Sequence, residues 1–236
     1  MNTIAYIQKV QKKVFDIVIR KQELFYLTGG TALVFQLKHR FSEDLDFFSQ
    51  KYTAKEAGKI MKIISQETNF TYKMLNQEND PKFIPLTMYL LKLDNNHVLK
   101  IDFVQDFAPN LEPIKNGLHS LEDIFYRKIN ITFGKNPGLT DSTGKLVSTG
   151  RQAVKDILDL YVLSQNYMPL SQFFIRYFNS TAFEHLKAWY LGLPRMEFKL
   201  EMNYYASTID PNEVLIHLDK EILFKLPKVL SKRKEE

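Results

Sequence analysis

The sequence predicts an α+β protein, with an N-terminal half built on a β-sheet flanked by helices and a C-terminal half made of packed helices. Three observations predict it. Short apolar runs of strand length are confined to the residues before about 105. After Pro109 and Pro113 the apolar residues recur at helical spacing. Between the first strand and the helix after it, Thr28-Gly29-Gly30-Thr31 interrupts the pattern with a glycine turn.

Taken in order, Ile4, Ile7, Val10, Val14, Phe15, Ile17 and Val18 lie three and four residues apart and predict an amphipathic helix over about 2–22. Leu24 to Leu27 follows as a short buried strand, and Ala32 to Lys38 resumes a helix beyond the glycines. Asp44 to Phe48 is a strand that turns Asp44 and Asp46 to one face and Leu45 and Phe47 to the other, because side chains alternate. Residues 53–66 return to helix. Strands are expected at about 69–75, 84–94 and 97–104, the last two joined by a tight turn at Asn95-Asn96.

A domain boundary is placed near residue 115, dividing the chain into 1–115 and a mainly helical 116–236. Helices are expected near 119–130, 150–165, 169–178, 181–190 and 211–224. The stretch Gly134 to Gly150 is rich in Gly, Ser and Thr and reads as a long exposed loop. Within it Gly138 to Lys145 resembles a phosphate-binding P-loop only superficially, since five residues separate its glycines and Leu146 stands where Ser or Thr is required. Ser231 to Glu236 reads as a frayed polar end. The helical half's aromatic residues, among them Phe173, Phe174, Trp189 and Tyr190, are expected in its core, with Tyr204-Tyr205 the least determined.

Composition narrows the function. The 236 residues suffice for one large domain or two small ones, and 44% hydrophobic with 25% charged residues excludes a disordered or collagen-like chain. Zero cysteines exclude disulfides, thiolate zinc sites and cysteine nucleophiles, and are compatible with a reducing cytoplasm. The five histidines have no zinc-ligand spacing. A net charge of +5 permits a polyanionic partner without demanding one. No apolar run approaches the ~20 residues of a membrane span, so neither a signal peptide nor a membrane anchor is expected.

The chemistry lies in an ordered set of residues. Two carboxylates two apart on a strand converge on one face, and Asp102, isolated within the apolar run Lys100 to Val104, supplies a third from another strand. Such oxygen donors suit hard divalent cations. Gly29 and Gly30 let backbone approach a phosphate at a helix N-terminus, where Thr28 and Thr31 hydroxyls add donors. Taken singly, the carboxylates also read as a solvated strand face and the glycines as a turn. Ser42 either contacts nucleotide or caps a turn, and Arg40 is read as a structural anchor for its loop.

These motifs resemble the nucleotidyltransferase superfamily. More closely, Leu27 to Leu33 and His39 to Phe48 are similar to the AbiEii-type toxin family, with two later elements in order: Asp123 to Lys128, and Arg151 followed by Lys155 to Tyr161. The resemblance implies a nucleotidyltransferase-like mixed sheet and a helical C-terminal domain contributing Lys and Asp to the site. It implies Asp44 and Asp46 as metal ligands, and Asp102 as third ligand and activator of the incoming hydroxyl. Lys128 would hold phosphate and Asp156 would orient it or a substrate group, with Asp159 making a local pair. The nucleotide would be held by Thr28, Gly29, Gly30, Thr31, Ser42, Arg151 and Lys155. The implied cofactor is Mg2+, as two ions, or Mn2+. The implied reaction moves a nucleoside monophosphate from NTP to RNA, at the tRNA 3′ end, by a cytoplasmic toxin of a toxin-antitoxin or phage-defence pair with an antitoxin protein as partner. Two alternatives stand: nucleotide transfer to a protein hydroxyl, and an inactive binding module.

Overall fold

The computed structural model of the protein describes residues 3–80, 82–134 and 150–233. The chain forms two compact units, Met1–Asp123 and Ile124–Glu236.

In the first unit α1 (Thr3–Lys21) buries the stripe Val10, Val14, Ile17 and Val18 and ends in Arg20 and Lys21, cations favourable at a helix C-terminus. The strands are β1 (Tyr26–Leu27), β2 (Asp44–Ser49), β3 (Thr71–Glu78), β4 (Leu86–Lys92) and β5 (Val98–Gln105), joined in the order β1-β2-β5-β4-β3. Among these strands β2 and β5 run parallel and the other pairs are antiparallel, which makes the sheet mixed. Helix α2 (Gly29–Leu37) follows the glycine turn and α3 (Ala54–Thr68) follows β2.

One face of the sheet is closed by Leu45, Phe47, Tyr89, Leu91, Leu99, Ile101 and Phe103. Phe103 is the hub, with Phe47 stacked on it and Phe25 and Tyr89 edge-on. Helix α3 packs here, with its Gly58 against the Tyr89 hydroxyl, and α1 lies alongside α3. Each such side chain contributes about 1.5–3 kcal/mol by leaving water. The opposite face of β2 and β5 carries Asp44, Asp46, Lys100 and Asp102, all only partly buried.

Two details differ from the sequence reading. The β4–β5 connection spans Leu93 to His97, and its organiser is Asp94, whose Oδ1 accepts the amides of Asn96 and His97 at 2.8 Å each. A carboxylate that accepts amides two and three residues on makes a turn by itself, so the Asn95-Asn96 pair is not the device. Strand β3 runs to Glu78, past the expected end at 75, because an irregularity between Met74 and Asn76 lets pairing with β4 resume. It is an edge strand, and its residues are exposed on both faces as far as Gln77.

The unit boundary falls inside α4 (Leu121–Thr132). The second unit continues with α5 (Val154–Asn166), α6 (Leu170–Tyr177), α7 (Ser180–Leu191), α8 (Arg195–Tyr205), α9 (Pro211–Leu218), a π-helical segment Asp219–Lys225 and α10 (Leu226–Arg233). Its core holds Phe125, Phe173, Phe174, Trp189 and Tyr190, as the sequence predicts, while Tyr204 is exposed. Asn179 caps α7 through the amide of Ala182, and Asp210 caps α9 through the amide of Asn212, with Pro211 at the first turn.

Helix α8 escaped the periodicity because Phe198 and Met202 are buried while Met196, Leu200 and Tyr204 are exposed, so apolar residues occupy both sides. Ser231 to Arg233 continue α10, and Lys234 to Glu236 lie outside the described residues. The residues between Gly134 and Gly150, including the Gly138 to Lys145 stretch, lie outside the described residues. Among the described residues no helix is long and apolar enough to cross a membrane.

Candidate active site

The parallel pairing of β2 with β5 sets Asp46 opposite Asp102 and Asp44 opposite Lys100. Alternation does the rest: Leu45, Phe47, Ile101 and Phe103 are fully buried behind them, and the three carboxylates share the other face. The sequence-predicted trio is therefore gathered on two neighbouring strands. Among the described residues, no three acidic or imidazole side chains stand close enough to coordinate an ion as they are.

The Lys100 ammonium donates to Asp102 Oδ2 at 2.5 Å, and Asp102 Oδ1 is buried without a hydrogen-bond partner. Burial pushes the Asp102 carboxyl above the ordinary aspartate value; Lys100 opposes the shift and Asp44 adds to it. Burial acts against the charge of Lys100, yet Asp102, Asp46 and Asp44 together hold it above the ordinary lysine value. Hard oxygen donors and an unpaired buried carboxylate oxygen fit a divalent cation held by Asp44, Asp46 and Asp102.

The glycine turn abuts this face. Gly29 opens α2 at φ +68°, where a side chain is strained, and a β-carbon there would lie 3.6 Å from Asp46 Oδ2. A β-carbon on Gly30 would fall 2.2 Å from Arg40 Nη2. The second glycine thus makes room for the buried Arg40 guanidinium, which donates to the Phe41 carbonyl at 2.8 Å. Both glycines are partly exposed, and the first amides of a helix have no acceptor within it.

The neighbouring hydroxyls are engaged inside the protein. Thr28 Oγ1 pairs with His119 Nδ1 at 2.7 Å. Thr31 Oγ1 donates to the Asp44 carbonyl at 2.6 Å and lies 2.7 Å from Ser42 Oγ, while Gln11 Nε2 donates to the Ser42 carbonyl at 3.0 Å. All three hydroxyl residues are buried. The Thr31 and Ser42 hydroxyls thus brace the start of the strand that carries Asp44 and Asp46, while that of Thr28 is engaged with His119.

In the second unit, Lys128 on α4 is buried and reaches two carboxylates of α5, Asp156 at 2.7 Å and Asp159 at 2.6 Å. Asp159 thus pairs with a cation of another helix. Arg151 clamps Asp156 through Nε at 2.6 Å and Nη2 at 2.8 Å. Its carbonyl accepts the Trp189 indole N–H at 2.9 Å, which fixes the segment before α5.

Burial disfavours the charge of Lys128, but Asp159 and Asp156 hold its pKa above the ordinary lysine value. Burial likewise acts against ionised Asp156, and Lys128 with Arg151 overrides it and lowers the pKa. Arg151 precedes α5, so it and Lys155 are not one turn apart on a single helix. Lys155 is half-exposed, and no ion pair joins it to this cluster among the described residues.

Sequence reasoning missed Lys100 and His119. Lys100 was legible, since a residue two before Asp102 on a strand must share its face. His119 carried no signal: its amide donates to the Leu27 carbonyl and its ring reaches Thr28 only after the chain returns beside β1.

No match was found among curated protein sequences. Among solved structures, JHP933 from Helicobacter pylori is similar at 18% identity, with a TM-score of 0.61 over 100% of this chain and 96% of that one. A provisionally assigned nucleotidyltransferase from the same organism also has a TM-score of 0.61 at 18% identity, covering 99% of this chain and 98% of that one. At this identity the likeness shows the fold. The family described as nucleotidyl transferase AbiEii toxin of type IV toxin-antitoxin systems matches residues 18–221, nearly the whole of both units. The chain therefore belongs to the AbiEii nucleotidyltransferase toxin family.

Proposed function

We propose that this nucleotidyltransferase uses Mg2+ or Mn2+, as a pair of ions, to move a nucleoside monophosphate from NTP onto RNA, with the tRNA 3′ end as acceptor. It acts as a cytoplasmic toxin held in check by an antitoxin. The observation that carries the reading is the registration of Asp46 against Asp102, with Asp44 on the same face and Gly29 against Asp46.

In the reaction the acceptor oxygen forms a bond to the α-phosphorus, the bond to the pyrophosphate oxygen breaks, and the acceptor hydroxyl loses its proton. Bound divalent cations would neutralise the triphosphate and stabilise the attacking and leaving oxygens. Asp44, Asp46 and Asp102 would hold them, and Asp102 would also take the proton of the acceptor hydroxyl. The amides at Gly29 and Gly30 receive phosphate oxygens at the start of α2.

The test supplies each α-labelled NTP in turn with Mg2+ and total RNA or cell protein, beside an Asp44→Ala/Asp46→Ala control. Label entering RNA only with the intact pair supports the reading. Label entering protein replaces RNA by a protein acceptor, and label in neither favours a binding module.

A further inference from the structure

The acidic face already contains a cation. Three carboxylates on one strand pair repel one another, and the two-residue repeat of β5 places Lys100 among them, opposite Asp44 and bonded to Asp102. Its charge is felt by Asp46 and Asp44 as well as Asp102. Among the described residues one oxygen of Asp102 is bonded, to Lys100, and the other is buried with no hydrogen-bond partner.

We propose that Lys100 is the resident counter-ion of this face, a positioning residue that holds Asp102 in the metal-free protein and yields it when a divalent cation binds. The proposal rests on the metal-site reading above. Ammonium and divalent cation compete for the same carboxylate, and like charges at such separation disfavour one another. Metal uptake is thus an exchange, and its affinity is set by how firmly Lys100 holds on.

The experiment titrates the full-length protein with Mn2+ alone, without nucleotide, reading free Mn2+ by electron paramagnetic resonance and melting temperature in parallel. Lys100→Met is compared with wild type, Lys100→Arg and Asp102→Asn. Lys100→Met is expected to bind Mn2+ about tenfold more tightly than wild type, since a nearby like charge has gone. In EDTA it melts below wild type, and Mn2+ raises its melting temperature by the larger margin. Lys100→Arg, which keeps the charge, stays near the wild-type affinity, and Asp102→Asn binds more weakly than wild type. Equal or weaker binding by Lys100→Met overturns the counter-ion role while leaving the metal site standing. If neither wild type nor Lys100→Met binds Mn2+, the metal site fails and this inference fails with it.

Discussion

Asp46 and Asp102 face each other across the parallel seam of the sheet, where two strands distant in sequence run side by side in the same direction. The seam brings carboxylates 56 positions apart to one register, and it ties the chemistry to the core, because Phe47 and Phe103 stack directly behind.

Replacing Asp46 by Asn should lower nucleotidyl transfer by at least about a hundredfold, the scale of losing one preorganised charge at a reacting centre. Stability should hold or rise slightly, since one of three like charges is removed. Transfer of α-labelled nucleotide and a urea melt measure the two effects. A large loss of both together would assign Asp46 to the fold.

Gly30→Ala should destabilise the first unit by about 1–3 kcal/mol, because the new methyl meets the Arg40 guanidinium in a packed site. Gly29→Ala should cost about 1–2 kcal/mol for a different reason, its positive φ. The paired change Gly30→Ala/Arg40→Met should be less harmful than the sum of its parts, since the two share one contact. Chemical denaturation of wild type, the two glycine variants, Arg40→Met and the paired variant checks this.

Lys128→Met removes the buried cation that Asp156 and Asp159 share, with Arg151 still on Asp156, and should cost about 3–5 kcal/mol. The pH dependence has a definite sign. Asp156 has a folded pKa below its unfolded value, so its contribution is present above the ordinary aspartate range and is lost as pH falls through the lowered value. Lys128, raised in the fold, contributes below the ordinary lysine value and loses that contribution as pH rises through the raised one. Asp156→Asn should flatten the acid limb of a plot of stability against pH.

Thr28→Val should cost about 1–3 kcal/mol by removing the hydroxyl that pairs with buried His119 Nδ1, whereas Thr28→Ser should stay near wild type. Thermal melts of the two variants distinguish the lost hydrogen bond from lost volume.

Wherever one local rule decides, the sequence was legible. The alternation at Asp44 to Phe48, the glycine break before α2 and the stripe of α1 each depend on neighbours along the chain, and each appears in the fold. Contacts made across the chain were not legible. The use of Gly30 depends on Arg40, the tether of Thr28 on His119, and the partner of Asp159 on Lys128 from another helix. Helix α8 failed for a third reason: exposed apolar side chains at Met196, Leu200 and Tyr204 erase the contrast on which periodicity relies.

The π-helical segment Asp219–Lys225 gives the last helical rod a particular evolutionary constraint. Its widened turn ends with the Leu226 amide on the Glu221 carbonyl, just before Pro227, whose ring a regular α-ladder would not admit. The faces on either side are therefore phased by one local irregularity. Removing a single residue there would swing Leu226 and Leu230 around the axis by about 100° relative to Val214 and Leu218. Length in this rod is thus inherited more strictly than residue identity, and relatives should vary here by substitution while insertions and deletions collect in the connections.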